Sequence, residues 1–430
     1  MPDIGAALRR ILVFAAFVSL PSLPAACGRA APSLAGGAAV PAVAAPPRAP
    51  LIVVSLDAFR WDYLERGITP NLTRLAESGV RLRTLVPAFP SRSFPNHWTL
   101  VTGLEPEHHG MVDNNFLDLV MGDAFHSGDA VAARDARWWG GEPLWATAER
   151  EGVRAATMFW PGSEAPVGGR LATYWRRYDA RVTADARVDQ VLAWLDLPAG
   201  RRPSLIALYL SDADAAGHPY GPDASQTADA IRRLDAAIGR LVVGLRVRGL
   251  EGRANLVVVS DHGMAAINTG RVVVLDDYID PGVVDPVTLG ALIAIYPLPG
   301  FEDSTARALA RLPHTAVYPR AATPERWHYR ANPRIAAFVG VADEGWQVVE
   351  RPALELHPRS YIGGSHGYDP DVPSMAGILI AAGPAFRQGI VLGAMRNIHV
   401  YDLLCRAAGL RPAPNDGSPD SVREFFREGR

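Results

Sequence analysis

The chain of 430 residues contains no lysine, so all 43 of its basic residues are arginine. We read this as a coding bias toward GC-rich codons, with one chemical consequence: any side-chain clamp on an anion must be arginine. Basic charge is not in surplus either. A formal net charge of −2 leaves no electrostatic footprint for a nucleic-acid polymer. Cysteine is nearly absent, with only Cys27 and Cys405, and no structural disulfide is expected. The N-terminal apolar run is too short, and too rich in proline, for a membrane-spanning helix. Hydrophobic content of 48% and charged content of 20% exclude disorder as the theme.

What is present begins with an address. Arg9 and Arg10 precede an apolar run from Ile11 to Leu20, then Pro21, Pro24 and Ala25-Ala26-Cys27. This is the pattern of a secretory signal over residues 1–27. Leu23-Pro24-Ala25-Ala26-Cys27 also resembles a bacterial lipoprotein cleavage box, which Pro24 fits poorly. Two outcomes follow: plain export to a periplasmic or extracellular location, or export with a membrane anchor on Cys27. Residues 28–50, rich in Ala and Pro, read as a tether. A folded domain is expected over 51–415, and a charged, loosely held tail over 416–430.

Within that domain, Leu51 to Leu56, Ala155 to Trp160, Ser204 to Leu210, Asn255 to Ser260 and Ala376 to Ala381 are continuous apolar runs of strand length. Runs without alternation suit strands buried on both faces, hence a mostly parallel sheet flanked by helices. Helical spacing recurs over Pro70 to Ala76, Leu144 to Glu151, Ala224 to Val247 and Asn397 to Ala408. The alternation predicts a doubly wound α/β core. From 273 to 359, short β-rich pieces and many prolines suggest an inserted subdomain.

Chemistry-bearing residues gather after the strands. Asp57 ends the first run; Asp214 and His218 follow the third; Asp261-His262 follows the fourth; His366 sits in a glycine-flanked loop. In open α/β sheets, ligands collect beyond the carboxyl ends of strands. Asp and His are ligands that zinc accepts, and two ions ~3.5–4 Å apart can share one phosphoryl oxygen. Ser93, beside a proline-controlled turn and ahead of a helical stretch, stands where backbone N–H groups favour an anion. Each piece alone is better explained as a cap or a surface turn. Their co-occurrence is what carries weight.

As an ordered set, Ser93-Phe-Pro-Asn-His-Trp, Val-Thr-Gly-Leu-Glu-Pro-Glu-His-His-Gly, Val-Asp-Asn114-Asn, Asp214-Ala-Ala-Gly-His218, Ser-Asp261-His262-Gly-Met and Gly-Ser-His366-Gly-Tyr-Asp resemble the nucleotide pyrophosphatase/phosphodiesterase family of the alkaline phosphatase superfamily. The likeness spans about residues 51 to 410. It implies an alkaline-phosphatase-like sheet and two zinc ions per chain. One would be held by Asp57, Asp261, His262 and the Ser93 oxygen, the other by Asp214, His218 and His366. Ser93 would be the nucleophile, forming a covalent phospho-serine. Asn114, with the backbone N–H after Ser93, would bind a phosphoryl oxygen. Phe94, Tyr178 and Tyr209 match positions that sandwich a nucleotide base, with plain core packing as their competing explanation. The implied activity is hydrolysis of nucleotide diesters or anhydrides to nucleoside 5′-monophosphates.

Two departures matter. Most members carry threonine at the position of Ser93, and serine there also occurs in lipid-headgroup diesterases. Ser211-Asp212-Ala213 replaces the usual residues ahead of the aspartate while leaving Asp214 and His218 in place. A sulfatase would need arginine four residues after the nucleophile, where this chain has His97. A phosphomonoesterase would need more cationic charge than Asn114 and neutral aromatics supply. A non-enzymatic surface protein with a decayed site would have lost ligands, and none of the six Asp and His candidates is missing.

Overall fold

A computed structural model of the chain describes residues 48–428; the expected export signal (1–27), Cys27 and most of the tether lie outside the described residues. The centre is an eight-stranded sheet of β1 (Leu51–Leu56), β2 (Val80–Val86), β3 (Ala155–Met158), β4 (Tyr174–Arg176), β5 (Leu205–Leu210), β6 (Asn255–Val259), β7 (Leu379–Ala382) and β8 (Ile390–Arg396). Their spatial order is β8-β2-β7-β6-β1-β5-β3-β4. Only β7 runs antiparallel to its neighbours. β1 lies between β5 and β6, with Leu51 opposite both Leu205 and Asn255.

The uninterrupted apolar runs are explained by coverage on both faces. Alternate residues of β1 serve two different cores: Leu51 and Val53 face one, and Ile52, Val54 and Leu56 face the other. The first core is closed by helices α2 (Ser93–Thr102) and α6 (Val400–Ala408), through Trp98, Leu100, Leu403 and Leu404. The second is closed by α1 (Pro70–Ser78), α3 (Ala184–Leu195) and α5 (Ser225–Val247). In α5 the buried Ile231, Leu234, Ile238, Leu241 and Leu245 recur every three or four residues, so one stripe meets the sheet. Burying each such side chain contributes ~1.5–3 kcal/mol. With both faces covered, the free region of the sheet is the rim at its strand ends. Helix α4 (Asp212–Tyr220) begins there, directly after β5.

Between β6 and β7 the chain leaves the sheet. Val272–Val274 pairs with Gln347–Val349 at the base of an excursion. Its body is a four-stranded antiparallel sheet of Val284–Thr288, Leu292–Pro297, Phe338–Ala342 and Thr315–Pro319, backed by a helix over Glu302–Leu309. It has its own apolar cluster, including Ile293, Ile295, Leu309 and Phe338. The end of the chain corrects the expectation of a loose tail. Val422 and Phe425 are fully buried and Arg427 donates to the Phe386 carbonyl at 2.8 Å. Three apolar side chains among the charges, Val422, Phe425 and Phe426, are enough to anchor it. Among the described residues no helix is long and apolar enough to cross a membrane.

One buried charge ties two helices together. Thr69, at the N-cap of α1, makes no side-chain cap. Asp235 from α5 does so instead, accepting from Asn71 N at 3.0 Å, Leu72 N at 2.8 Å and Asn71 Nδ2 at 2.8 Å. Asp235→Ala strands these donors and is expected to lower unfolding free energy by about 2–3 kcal/mol. A fall in the urea midpoint checks it, and a loss under about 1 kcal/mol would contradict this capping role.

Candidate functional site

The rim beyond β1, β5 and β6 brings the candidate residues together. Asp57 follows β1, Asp214 lies in the first turn of α4 after β5, and Asp261-His262 follows β6. The turn after Asp57 puts Ala58 at φ 54°, and its N–H donates to Asp261 Oδ1 at 3.1 Å. His366 arrives from the far side, after a short strand, Gly363–Ser365, paired with Ala265–Ile267. Glycine makes this approach possible. At Gly363, with φ 116°, a Cβ would lie 2.1 Å from the His218 carbonyl oxygen. The contact lets His218 and His366 share a site.

Two candidate metal-binding clusters result. Asp57, Asp261 and His262 form one, Asp214, His218 and His366 the other, each with ligand atoms within 4.8 Å of one another. The His262 and His366 rings stack at 3.8 Å, so the clusters are adjacent. The imidazoles are oriented alike. Nδ1 faces a backbone carbonyl in each: Gly364 O at 3.1 Å for His218, Gly263 O at 2.9 Å for His262 and Ser91 O at 3.0 Å for His366. A carbonyl can only accept, so Nδ1 carries a proton and Nε2 is turned to the cluster. This second-sphere arrangement is usual for metal-ligating histidine.

The carboxylates supply the complementary observation. Asp57 Oδ1, Asp214 Oδ1 and Asp261 Oδ2 are sealed from solvent yet receive no hydrogen bond of acceptable angle. Imidazole nitrogens stand close, His262 Nε2 at 3.0 Å from Asp261 Oδ2 and His218 Nε2 at 3.2 Å from Asp214 Oδ1. Lone pairs converging without shared protons are suited to a cation, and the residues present fit one in each cluster.

Without that charge, protons carry the imbalance. Burial, then the charges of Asp261 and Asp214, push the Asp57 carboxyl up to about 8. Burial pulls the His262 imidazole down, but Asp261 outweighs it and leaves it raised to about 9. Burial, reinforced by His262 and His218, holds His366 well below the ordinary imidazole value. Asp261 is opposed by burial, yet the His262 and His97 charges keep it well below the ordinary carboxylate range.

Ser93 opens α2, and its Oγ lies 3.1 Å from His262 Nε2. It is the first helical residue, and Arg92 occupies the N-cap. The reading of Ser93 as a helix cap is therefore corrected: its hydroxyl is directed at the cluster. Asn96 explains how the turn before it holds. Its side chain accepts from Ala88 N at 2.8 Å and donates to the Pro90 and Arg92 carbonyls at 2.8 and 2.9 Å. Asn114 is beside Ser93, with a difference from expectation. The Phe94 N–H, expected to be free, donates to Asn114 Oδ1 at 2.9 Å, because an unpaired N–H at a helix start takes the nearest acceptor. The Asn114 Nδ2 group remains as a donor.

Phe94, Tyr178 and Tyr209 line one cavity of about 350 Å³, with Phe159, Trp160 and Glu164. Tyr209 also does something the sequence did not suggest: its hydroxyl donates to Asp57 Oδ2 at 2.5 Å. A larger cleft of about 660 Å³ opens beside α4 near Arg181, Asp185 and Tyr220, but contains no cluster residue. His97 was also missed. Fully buried, it has Nδ1 2.8 Å from the Ser93 carbonyl oxygen and 3.2 Å from Asp261 Oδ2, while Nε2 meets Ser55 Oγ at 2.9 Å. The signal was its place four residues after Ser93, one helical turn onward.

Comparison with known proteins agrees in extent with this site. The profile described as type I phosphodiesterase / nucleotide pyrophosphatase matches residues 51–369. An uncharacterized pyrophosphatase/phosphodiesterase of Schizosaccharomyces pombe is 38% identical over 88% of this chain and 80% of its own length. The bovine ectonucleotide pyrophosphatase/phosphodiesterase family member 3 is 34% identical over 88% of this chain. A venom phosphodiesterase of Crotalus durissus collilineatus is 35% identical over the same share. The chain spans about half the length of these last two, 44% and 47%. The murine ectonucleotide pyrophosphatase/phosphodiesterase 5, solved as an inactive variant with AMP, superposes with a TM-score of 0.83 at 33% identity, covering 88% of this chain and all of that one. The chain therefore belongs to the type I phosphodiesterase/nucleotide pyrophosphatase family.

Proposed function

We propose that this protein is an exported two-zinc phosphodiesterase that cleaves nucleotide diesters and anhydrides to nucleoside 5′-monophosphates. The observation that carries the reading is the Ser93 hydroxyl 3.1 Å from His262 Nε2, between a cation-ready rim and an aromatic cavity. Export rests on the sequence of residues 1–27, with Cys27 as the position of any lipid anchor.

Asp57, Asp261 and His262, with the Ser93 oxygen, would hold one zinc, and Asp214, His218 and His366 the other. When bound, such ions supply positive charge that acidifies a nearby hydroxyl and neutralises a leaving oxygen. Ser93 Oγ, its proton passed to solvent water, would attack phosphorus, and the bond from phosphorus to the leaving oxygen breaks with its electron pair left on that oxygen. The product is a phospho-serine ester still carrying the nucleoside. Water cleaves that ester, returning the Ser93 hydroxyl and releasing the monophosphate. Asn114 Nδ2 would donate to a non-bridging oxygen as charge builds on it. The Phe94 amide joins it once substrate displaces the Asn114 Oδ1 contact. His97 Nδ1 bonds the Ser93 carbonyl and stands 3.2 Å from Asp261 Oδ2, which would position the first turn of α2 beside that carboxylate. Base recognition falls to Phe94, Tyr178 and Tyr209. A stacked base contributes ~1–3 kcal/mol with little base selectivity. The AMP bound to the murine relative supports this class of substrate.

Ser93→Ala should retain its fold and metal content but lose roughly 10³-fold or more in turnover of a nucleoside p-nitrophenyl phosphate. Ser93→Thr, which keeps the hydroxyl, should stay active. Chelation should abolish wild-type activity, with zinc restoring it; failure of zinc to restore any diesterase activity would refute the proposal.

Tyr178→Ala should raise KM for nucleoside substrates about tenfold while affecting bis(p-nitrophenyl) phosphate less. Equal loss on both would argue for a headgroup diesterase, in which the cavity does not read a base.

At pH 7 the metal-free protein keeps protons on Asp57, raised to about 8, and on His262, raised to about 9. Zinc must displace both. Calorimetric titration in two buffers of different ionisation enthalpy should therefore show release of at least two protons, these and any held by His218, which burial pulls down but Asp214 raises above the ordinary imidazole value, with affinity rising as pH approaches 9. Binding that releases no protons would contradict the assignment of these ligands.

A further inference from the structure

Arg187, on α3, is a cation that the chemistry above does not use. It is 2% exposed, and among the described residues it forms no ion pair. A desolvated charge without a carboxylate is costly unless dipoles and ring faces answer it. Here Nε donates to the Val182 carbonyl at 2.9 Å and Nη1 to the Tyr209 carbonyl at 3.0 Å. The guanidinium carbon lies 4.9 Å from the centre of the Phe159 ring and 5.9 Å from that of Tyr178. Both are within reach of a cation–π attraction.

These partners form the wall of the aromatic cavity. Phe159, Tyr178 and Tyr209 all line it, whereas Arg187 lines the cleft beside α4 instead. The guanidinium therefore stands behind the wall. The ladders joining β3 to β4 and to β5 end at Met158 with Arg176 and Met158 with Leu208. All three rings belong to residues past those last pairs, so the ladders do not set their spacing. Phe159 leaves β3 at φ 66°, a conformation that a non-glycine residue keeps only where its surroundings hold it. The Tyr178 ring then lies 5.3 Å from Phe159 and 6.5 Å from Tyr209. Tyr209 is held at both ends, its hydroxyl on Asp57 and its carbonyl on Arg187.

We propose that Arg187 is a positioning residue of this cavity, fixing Phe159, Tyr178 and Tyr209 from behind and so setting how tightly a nucleoside base is held. This rests on the base-binding role proposed above for the cavity. The fork of a guanidinium can meet two carbonyls while its face meets the rings, which an ammonium cannot do.

The test uses the zinc-loaded full chain with Arg187→Met, which removes charge and donors, and Arg187→Lys, which keeps the charge without the fork. Calorimetry with AMP and with ribose 5-phosphate isolates the base. Wild type should hold AMP about tenfold more tightly, and Arg187→Met should cut that ratio to about twofold. Arg187→Lys should fall between the two. In turnover, Arg187→Met should raise KM for thymidine 5′-monophosphate p-nitrophenyl ester about fivefold while leaving its kcat within about twofold. Bis(p-nitrophenyl) phosphate, which carries no base, should be cleaved as by wild type. An AMP preference that survives Arg187→Met, or an equal fall on both diesters, overturns the proposal. If Arg187→Met does not fold, Arg187→Lys decides, and full retention of the wild-type ratio overturns it. A wild type that holds AMP and ribose 5-phosphate alike overturns the base-binding reading itself, and the proposal with it.

Discussion

Three imidazole Nδ1 groups pointed at backbone carbonyls set the terms for everything else on the rim. Gly364, Gly263 and Ser91 supply those carbonyls, one from a short strand and two from turns. Because the acceptor is main chain, ring orientation is decided by how strands and turns are placed, and no other side chain has to be ordered first. The carboxylates then converge on the nitrogens left over. They do so without enough protons to go around, and three buried oxygens remain unsatisfied. Such an arrangement is unfavourable as a resting protein core and favourable as a cation cradle. The sheet can bear it because β1, buried on both faces, is anchored by two separate cores.

Legibility from sequence followed the physics of each feature. The strands were visible because a doubly covered strand shows as an unbroken apolar run, and β1, β5 and β6 each announced themselves that way. Helix α5 was visible because 23 residues give a 3.6-residue period room to repeat. The Asp and His positions could be read because each follows such a run. What escaped were contacts between distant segments. Nothing local announces that Tyr209 bonds Asp57, since a tyrosine near a strand end is equally good packing material. The capture of the Phe94 amide by Asn114 likewise depends on two segments meeting. The chain's end was misjudged because charge was weighed over the few apolar residues that anchor it.

The inserted subdomain has a double relation to the rim. One face of its sheet has a core of its own, while Leu292, Val339 and Val341 on the other join the first core of the main sheet. Thr288 also reaches Asp113, and Asp113 in turn braces both Arg92 and the backbone of Asn114. An excursion from the sheet therefore bears on the serine loop through one buried carboxylate, through the stack of Trp327 on Phe89 and through the Tyr329 hydroxyl on the Val112 carbonyl.

The close approach at Gly363 carries a consequence for how the molecule is made. His218 meets the Gly364 carbonyl across 146 residues of chain, and Ser93 meets His262 across 169. Contacts of such range form late, after the closure entropy of the intervening loop has been met. The first cluster can assemble once β6 has joined β1, but the second must wait for the whole excursion to emerge and return. In synthesis from the N-terminus, His366 is thus the last of the six candidate ligands to appear, and the centre can be completed only once nearly all of the chain has emerged.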